Sequence, residues 1–269
     1  MLTGRLLSAV CCLLMKTGLT LSGGGARGIA HIGVLKALEE FGVRIDCISG
    51  TSTGALIAAL HAYGYSAEQM LETIISTKIF SSLRPAWTWT GLVSIMKIEE
   101  LILKLIPENN FEVLKIPTAI ATTNLNNGKV EYFTAGKLIP VILASCCVPV
   151  IFAPVQLNEQ HYVDGGITDN LPAKVLRNQC DLLIGSHCNY ISSDHDVKNF
   201  RSVIERSLLI AINGNTSISK NLCDVLIEPT ELGNTSAFDL SDIKRLYNIG
   251  YEFTKKHYSE NSFSVPPQR

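Results

Sequence analysis

The serine in the segment DCISGTSTGALIAAL, residues 46–60, stands in the sequence setting of a catalytic nucleophile. A predicted strand precedes it and a predicted helix follows it. Gly50, Ser52 and Gly54 form the Gly-x-Ser-x-Gly pattern of a nucleophile elbow, in which a strained turn lifts the serine hydroxyl above the sheet. A serine hydroxyl is a weak nucleophile until a base removes its proton. The pattern therefore predicts a base close to Ser52.

A glycine-rich loop precedes the elbow by one helix and one strand. Its residues are Gly23, Gly24, Gly25, Ala26, Arg27 and Gly28. Backbone N–H groups of such a turn at the start of a helix are suited to stabilising an oxyanion. The same spacing also fits a dinucleotide fingerprint, which requires an acid at the end of the next strand, whereas Asp46 precedes that strand. A tight turn needed only for packing is a third interpretation.

No histidine downstream of Ser52 stands in a distinctive catalytic setting. His195 lies in the charged stretch SSDHD, His257 lies near the end of the last predicted helix, and His187 follows a predicted strand from which it could reach the site. The segment HYVDGGITDNLP instead places Asp164 at the end of a short predicted strand. Two glycines after an acid permit a sharp turn and the close approach of another segment.

Three loops in this order resemble those of the patatin-like phospholipases: SGGGARG at 22–28, GTSTG at 50–54 and DGG at 164–166. The resemblance extends to ASCCVPVIFAPV at 144–155, to DNLP with Asn170 and Pro172, and to NIGYEF, and it covers about residues 17–255. Unlike plant patatins, the chain has Ser22 rather than an acidic residue before the glycines, as many bacterial members do.

This resemblance implies a Ser-Asp dyad without histidine. Ser52 would be the nucleophile and Asp164 the base, with Gly165 and Gly166 completing the motif of the base. The N–H groups of the glycine loop, chiefly those of Gly24 and Gly25 and also that of Ala26, would form the oxyanion hole. Neither a metal nor an organic cofactor is required by such a mechanism.

Composition restricts the class of protein. The chain has 269 residues, 46% hydrophobic and 17% charged, with a net charge of −1, which predicts a globular domain with an ample core and no bulk attraction to nucleic acid. Its eight cysteines include adjacent pairs but no Cys-x-x-Cys, so we expect neither a zinc site nor a disulfide framework. We therefore expect a reducing, cytoplasmic location, or a peripheral one on the inner face of the membrane.

The elements that must position these residues alternate along the chain. The predicted strands cover 17–22, 44–49, 117–124, 129–134, 181–186 and 223–227. The predicted helices cover about 26–41, 53–62, 137–146, 200–219 and 241–257, with another that a capping box at Ser66 opens and one that begins near Ile98. This order predicts a three-layer α/β/α domain with a mostly parallel central sheet and helices on both faces.

The predicted domain covers 15–258, followed by a C-terminal tail over 259–269. Residues 1–14 form an N-terminal extension. Arg5 and the apolar run after it are similar to a short signal peptide, but no matching cleavage site follows, so we favour a natural start at Met15.

Several further residues could either act at the site or support the fold. Arg27 either binds a phosphate or tethers the glycine loop, and we favour the tether. His31 is expected to serve packing or hydrogen bonding, and Ser145 and Pro149 to shape the wall of the site. Residues 79–96 contain Trp87 and Trp89 and are either a membrane-docking lid or part of the core.

The function expected from these observations is hydrolysis of carboxyl esters in phospholipids, lysophospholipids or related lipids through an acyl-enzyme. The lipid would be met at a membrane or micelle surface, and no nucleic acid would be bound. The alternatives are a soluble carboxylesterase or thioesterase of the same fold and a non-catalytic lipid-binding member.

Overall fold

The computed structural model of the protein describes residues 15–77, 90–149, 151–193, 200–237 and 239–264, with only the backbone of 90–97 and 201. Trp87 and Trp89 lie outside the described residues, as do His195 and the extension over 1–14. The predicted lid over 79–96 is therefore described only from Thr90 onward.

One mixed sheet organises the described residues, and most of its pairings are parallel. Hydrogen-bonded strands follow the path β5-β6-β3-β2-β1-β7-β8, in which β6 and β2 pair with successive parts of one edge of β3 and β4 pairs with its other edge. The bounds of the strands are β1 Thr17–Leu21, β2 Cys47–Thr51, β3 Thr118–Asn124, β4 Lys129–Phe133, β5 Val155–Leu157, β6 Gln160–Asp164, β7 Leu182–Ser186 and β8 Val225–Ile227. The antiparallel pairings are β3 with β4, β3 with β6, and β5 with β6.

The described ranges contain seven α-helices, which pack on the sheet or on one another. Their bounds are α1 Ala30–Glu40, α2 Thr53–Tyr63, α3 Ala67–Ser76, α4 Thr90–Leu105, α5 Leu138–Cys146, α6 Phe200–Leu222 and α7 Ile243–His257. The central strands are buried on both faces. Ile48 belongs to the main hydrophobic cluster, and its neighbour Cys47 belongs to a second cluster with Leu176. Because successive side chains of a strand point to opposite faces, the fold is the predicted α/β architecture with helices on both sides.

Helices α1 and α7 touch through their backbones. An ideal Cβ on Gly33 would lie 2.1 Å from the carbonyl oxygen of Tyr247, and one on Gly250 would lie 2.0 Å from that of Ala30. Any side chain at either glycine would separate the two helices. Gly250, in the segment NIGYEF, thereby fixes the start of α1, the helix that directly follows the glycine loop.

Three predicted boundaries are wrong. The first helix begins at Ala30 rather than at 26, because residues Gly25–Ile29 form a 3-10 helix ahead of it. The second strand is Cys47–Thr51 rather than 44–49. Asp46 lies just before it, and its side-chain Oδ2 accepts the N–H of Thr17 over 2.9 Å, so a side chain rather than the strand backbone bonds the start of β1. Helix α4 begins at Thr90 rather than near Ile98, so Gly91 lies inside a helix. A single glycine costs only about 1 kcal/mol in a helix, which the packed second half of α4 offsets.

The predicted helix start at Ser66 and the predicted hairpin at Gly128 are both confirmed. The capping box at Ser66 is present, with Gln69 bonded back to the N-cap. The hairpin around Gly128 is also present, with Gly128 at φ 70°.

Candidate active site

The ends of strands β2 and β6 meet on one edge of β3. Thr51, the last residue of β2, pairs with Ala121, and Asp164, the last residue of β6, pairs with Thr122. Because β4 occupies the other edge of β3 over the same residues, β2 and β6 share one edge and point toward each other. Ser52, which follows Thr51, therefore lies beside Asp164.

The turn at Ser52 has the geometry of a nucleophile elbow. Its backbone angles are φ 53° and ψ −125°, a combination that a residue with a side chain keeps only when its surroundings enforce it. A Cβ on Gly50 would lie 2.4 Å from the carbonyl oxygen of Gly54, and a Cβ on Gly54 would lie 2.5 Å from that of Leu21. Both glycines of the pattern are therefore sterically required.

Ser145, near the end of α5, is hydrogen-bonded to the backbone of the elbow. Its Oγ accepts the backbone N–H of Ser52 over 2.8 Å and donates to the carbonyl oxygen of Ala121 over 2.7 Å. The side chain is fully buried. Sequence analysis placed Ser145 on the wall of the site, whereas these two bonds place its hydroxyl between β3 and the elbow. The available signal was a hydroxyl within the apolar helix LIPVILASC, since a buried hydroxyl needs a partner.

Asp164 is buried beside Ser52, with 7% of its surface exposed. Burial raises the pKa of its carboxyl to about 6, although hydrogen bonds from the N–H of Gly166 and from the side chain of Ser52 lower it. The bond from Gly166 reaches Oδ1 over 2.8 Å. A Cβ on Gly165 would lie 2.3 Å from the carbonyl oxygen of Ala121, so this position must be glycine. The arrangement provides a carboxylate with a near-neutral pKa in contact with the serine.

The glycine loop lies against the elbow. Three of its backbone N–H groups are hydrogen-bonded to carbonyl oxygens of the protein. A Cβ on Gly23 would lie 3.1 Å from the Cβ of Ser52. The bonded N–H groups are those of Gly23 to Asn170 O at 3.1 Å, Ala26 to Ala237 O at 2.7 Å, and Arg27 to Gly24 O at 3.2 Å. Of the predicted oxyanion donors, Ala26 is thus engaged by Ala237.

The N–H groups of Gly24 and Gly25 have no acceptor within the described ranges of the chain. Gly25 has φ 56°, and a Cβ there would lie 2.3 Å from the carbonyl oxygen of Ala237. Gly28 packs against the start of α2: a Cβ on Gly28 would lie 2.7 Å from the side chain of Thr53. The two unbonded N–H groups are those available to an oxyanion next to Ser52.

Arg27 tethers this loop rather than facing solvent. Its side chain is 1% exposed, and its Nε donates to the carbonyl oxygen of Thr235 over 2.6 Å. Burial lowers the pKa of the guanidinium from its ordinary value. Of the two roles considered for Arg27, the geometry favours the tether.

The buried histidines are held in structural hydrogen bonds. The Nε2–H of His31 donates to the carbonyl oxygen of Ser22 over 2.9 Å and its Nδ1 accepts from the hydroxyl of Ser186 over 2.7 Å. Burial lowers the pKa of His31 to about 4, so it is neutral at pH 7. Nδ1 of His187 bonds to Glu228 over 2.7 Å, and burial lowers the pKa of His187.

The acid needed by the dinucleotide interpretation is at the wrong end of the sheet. Asp46 bonds the N–H of Thr17 at the start of β1, whereas the glycine loop follows the end of β1. Five residues of strand separate the two points, which is about 16 Å. Asp46 therefore cannot bind the ribose of a nucleotide whose phosphates rest on the loop.

Ser52 lies where two cavities meet, which we call cavity A and cavity B. Cavity A is lined by Gly25, Ala26, Ile29, Ser52, Thr53, Leu56, Ile57, Leu60, Ile74, Ile98, Cys146, Val148, Ile151, Phe152, Ala237 and Leu240. Cavity B is lined by Gly23, Gly24, Gly25, Ser52, Val148, Pro149, Asp164, Ile167, Asn170, Asn189, Glu205, Leu208, Leu209, Ile212 and Ala237.

The two cavities differ in chemistry. Among the described residues, no charged side chain lines cavity A, whereas two carboxylates and two amides line cavity B. No histidine lines either cavity among the described residues. Pro149 is on the wall of cavity B, as sequence analysis expected. Ala237 and Glu205 were not found from the sequence, because they reach the site from segments far from every motif.

Within the described ranges, no three His, Cys, Asp or Glu side chains are placed to hold a metal ion together. None of the helices in these ranges combines the length and the apolar composition needed to cross a bilayer.

The sequence pattern of the family described as Patatin-like phospholipase matches residues 19–177, which is more than half of the chain and includes Ser52 and Asp164. The chain belongs to the patatin-like phospholipase family. An uncharacterized NTE family protein of Mycobacterium tuberculosis is 34% identical over 177 residues, covering 65% of this chain and 49% of that relative. Lysophospholipase NTE1 of Mycosarcoma maydis is 35% identical over 171 residues, covering 60% of this chain and 9% of that protein.

A solved structure shares the patatin-like fold. The crystal structure of VipD from Legionella pneumophila is similar with a TM-score of 0.55 and 16% sequence identity, covering 90% of this chain and 66% of that one. At this identity the likeness concerns the fold alone. The chain spans about half the length of the mycobacterial relatives it matches.

Proposed function

We propose that this patatin-like protein is a serine lipid acyl hydrolase that cleaves carboxyl esters of phospholipids, lysophospholipids or related lipids through Ser52 and Asp164. The observation that carries the proposal is the position of Ser52 beside the buried carboxyl of Asp164, both of which line cavity B at the ends of β2 and β6, together with the pKa of about 6 of that carboxyl. At pH 7 this carboxyl is mostly ionised and still basic enough to take the serine proton.

Acylation begins with attack by Ser52 on the ester carbonyl carbon. The Oγ–H proton passes to Asp164 while the bond from Oγ to carbon forms. The oxygen that becomes negative is stabilised by the N–H groups of Gly24 and Gly25, donors that need no rearrangement. The tetrahedral intermediate then loses the alkoxy group, which takes the proton from Asp164 and leaves as an alcohol.

Deacylation repeats these steps with water. Asp164 takes one proton of the water, and the hydroxide oxygen bonds to the acyl carbon. The bond from Oγ to carbon breaks, and the proton returns to Ser52. The net reaction converts ester and water to carboxylic acid and alcohol, and the dyad is restored without a cofactor.

The preference for a lipid substrate rests on cavity A and on the relatives. Cavity A opens at Ser52, and no charged side chain lines it in the part of the chain that the structure describes. Each buried methylene of a substrate chain contributes about 0.8 kcal/mol of binding free energy in such surroundings. The relatives named lysophospholipases agree with a single-chain phospholipid as substrate. Such lipids would be met at a membrane or micelle surface, and the proposal includes no nucleic acid.

The test combines labelling with hydrolysis. A fluorophosphonate should label the wild-type protein and not Ser52→Ala, and the wild type should release fatty acid from a lysophospholipid. Hydrolysis of a short soluble ester without any lysophospholipid activity would identify a carboxylesterase. A folded wild-type protein that is neither labelled nor active would be a non-catalytic lipid-binding member, and the proposal would fail.

A further inference from the structure

Cavity A follows helix α2 away from Ser52. Its lining includes Thr53, Leu56, Ile57 and Leu60, which share one face of that helix. From Ser52 to Leu60 the helix rises about 12 Å. An extended acyl chain, like an extended peptide backbone, advances roughly 1.2 Å per bond. A cavity about 12 Å long therefore matches an acyl chain of about ten carbons.

The inner part of cavity A is closed by buried side chains from three helices. Leu60 of α2, Ile74 of α3 and Ile98 of α4 are 2%, 5% and 8% exposed. The cavity therefore continues from Ser52 into the protein interior rather than across the surface. It suits an unbranched apolar chain, because its described lining residues are apolar apart from Ser52, Thr53 and Cys146 and include no charged side chain.

The position of Asp164 decides which half of an ester can occupy each cavity. Asp164 lines cavity B and not cavity A. In the proposed reaction the proton on Asp164 must reach the alkoxy oxygen when the bond between that oxygen and the carbonyl carbon breaks. A proton donor must lie within about 3 Å of its acceptor. The alkoxy oxygen must therefore lie on the side of cavity B, and the acyl chain on the side of cavity A.

The lining of cavity B is suited to a hydroxyl-bearing alcohol. Asn170 and Asn189 are 2% and 1% exposed, and each has one polar side-chain atom without a partner among the described residues, Nδ2 of Asn170 and Oδ1 of Asn189. Buried polar atoms of this kind are usually hydrogen-bonded, so an unpaired donor and an unpaired acceptor beside one cavity indicate a polar ligand. An alcohol hydroxyl can donate to one amide and accept from the other.

The charges around cavity B restrict that alcohol further. Asp164 and Glu205 are its charged lining residues, and no Lys, Arg or His lines it within the described ranges. A phosphate inside cavity B would have no cation to pair with and would meet two carboxylates. The part of the alcohol inside cavity B is therefore uncharged, and any phosphate lies beyond it.

We propose, on the basis of the function proposed above, that cavity A binds the acyl chain and cavity B binds the uncharged, hydroxyl-bearing part of the alcohol. Ile74 limits the length of the acyl chain, and Asn170 and Asn189 recognise a hydroxyl near the scissile ester. A glycerol monoester is the simplest substrate with this chemistry.

The experiment measures two ratios of kcat/KM in the full-length protein. The acyl ratio is kcat/KM for monodecanoyl glycerol divided by kcat/KM for monobutanoyl glycerol. The alcohol ratio is kcat/KM for monodecanoyl glycerol divided by kcat/KM for ethyl decanoate. Two matched substitutions fill one cavity each, Ile74→Phe in cavity A and Ile212→Phe in cavity B. Leu60→Phe and Leu208→Phe are the second pair if either of the first proteins does not fold.

We expect each variant to change one ratio. Ile74→Phe should lower the acyl ratio at least about tenfold, since a few methylenes that no longer fit a hydrophobic pocket have effects of this size, and should leave the alcohol ratio within about twofold. Ile212→Phe should do the reverse. Asn170→Ala should lower the alcohol ratio about two- to tenfold with an unchanged acyl ratio, the effect of one lost hydrogen bond to a neutral group.

Any other pattern overturns the inference. If Ile74→Phe changes the alcohol ratio and Ile212→Phe the acyl ratio, the substrate binds in the opposite orientation. Changes in both ratios, or in neither, would mean that the cavities do not separate the two halves of the ester. A wild-type protein that hydrolyses none of the four-carbon and ten-carbon esters refutes the proposed function itself, which is a different result.

Discussion

The backbone N–H of Ser52 donates to Oγ of Ser145 over 2.8 Å, and the same Oγ donates to the carbonyl oxygen of Ala121 over 2.7 Å. One hydroxyl thus connects the elbow to strand β3, the strand that also pairs with Asp164. Ser145 is therefore a positioning residue for the candidate dyad, although it is separated from Ser52 by 93 residues of sequence.

Ser145→Ala should lower both stability and activity. It leaves a buried donor and a buried acceptor unpaired, which costs about 1–3 kcal/mol for each group. We expect kcat for ester hydrolysis to fall about tenfold or more, because the serine loses its fixed orientation. The matched control is Ser49→Ala, which removes another buried hydroxyl, bonded to Thr20 and Pro172 rather than to the elbow. An equal loss of kcat in both variants would contradict the positioning role.

The strained backbone of Ser52 predicts a stabilising substitution. Its φ of 53° with ψ of −125° costs about 1–3 kcal/mol for a residue with a Cβ. Ser52→Gly should therefore raise the free energy of unfolding by about 1 kcal/mol, while Ser52→Ala, which keeps the Cβ, should not. Both variants should be inactive. Chemical denaturation of the two proteins measures the difference, and equal midpoints would show that the elbow carries no strain.

The pKa of Asp164 predicts the pH dependence of activity. Asp164 must be ionised to accept the serine proton, and its pKa is about 6. The value of kcat/KM should therefore rise about tenfold per pH unit below pH 6 and level off above it, because it reports groups of the free enzyme. Initial rates between pH 4.5 and 8 test this. A profile that stays flat down to pH 4.5 would exclude Asp164 as the base.

The same pKa predicts that Asp164 destabilises the fold at neutral pH. Its pKa is raised from an ordinary value of 3.8 to about 6, so the native state binds the proton more tightly than the unfolded state does. The stabilisation from that proton is present below pH 3.8 and is lost as pH rises through 6. At pH 8, Asp164→Asn should be inactive yet more stable than the wild type by about 3 kcal/mol. Denaturation at pH 8 and pH 4 measures it, and a gain that does not shrink at pH 4 would have another cause.

The sequence predicted the residues of the candidate site better than the contacts that hold them. Ser52, the glycine loop and Asp164 were found because elbows, glycine turns and strand ends have local patterns. The contacts of Ser145, Ala237 and Glu205 join segments far apart in sequence, and no local pattern encodes them. The start of β2 was misplaced because the run before Cys47 alternates like a strand, whereas the side chain of Asp46 accepts the N–H of Thr17 in β1, a contact over 29 residues of sequence. The predictions for Trp87 and Trp89, which lie outside the described residues, remain predictions.

Replacing the histidines should leave catalysis largely intact. His187 is buried in a cluster with Glu228 and Lys220, and His257 is exposed and bonded to the carbonyl of Phe253. Neither lines a cavity that contains Ser52. His187→Gln and His257→Gln should each change kcat by less than about tenfold, below the 10²–10⁴-fold contribution of a general base. A folded His187→Gln protein without activity would favour a triad over the dyad.

The final prediction concerns Gly25, one of the two oxyanion donors in the proposed mechanism. Gly25 has φ 56°, and a Cβ there would lie 2.3 Å from the carbonyl oxygen of Ala237, so Gly25→Ala must shift the loop and its N–H group. Because such donors act on the charge that develops in the transition state, kcat should fall about 10²–10³-fold with little change in KM.

The matched control for Gly25→Ala is Gly42→Ala at the end of α1. Gly42 also has a positive φ, 71°, but a Cβ there would meet no atom within 4 Å. Its substitution should therefore cost about 1 kcal/mol of stability through backbone strain alone and leave kcat unchanged. Steady-state kinetics on one ester with both variants separates the two effects. If Gly25→Ala changes KM and kcat no more than Gly42→Ala does, the loop stabilises no oxyanion, and the N–H groups that Ser52 requires must be sought elsewhere in cavity B.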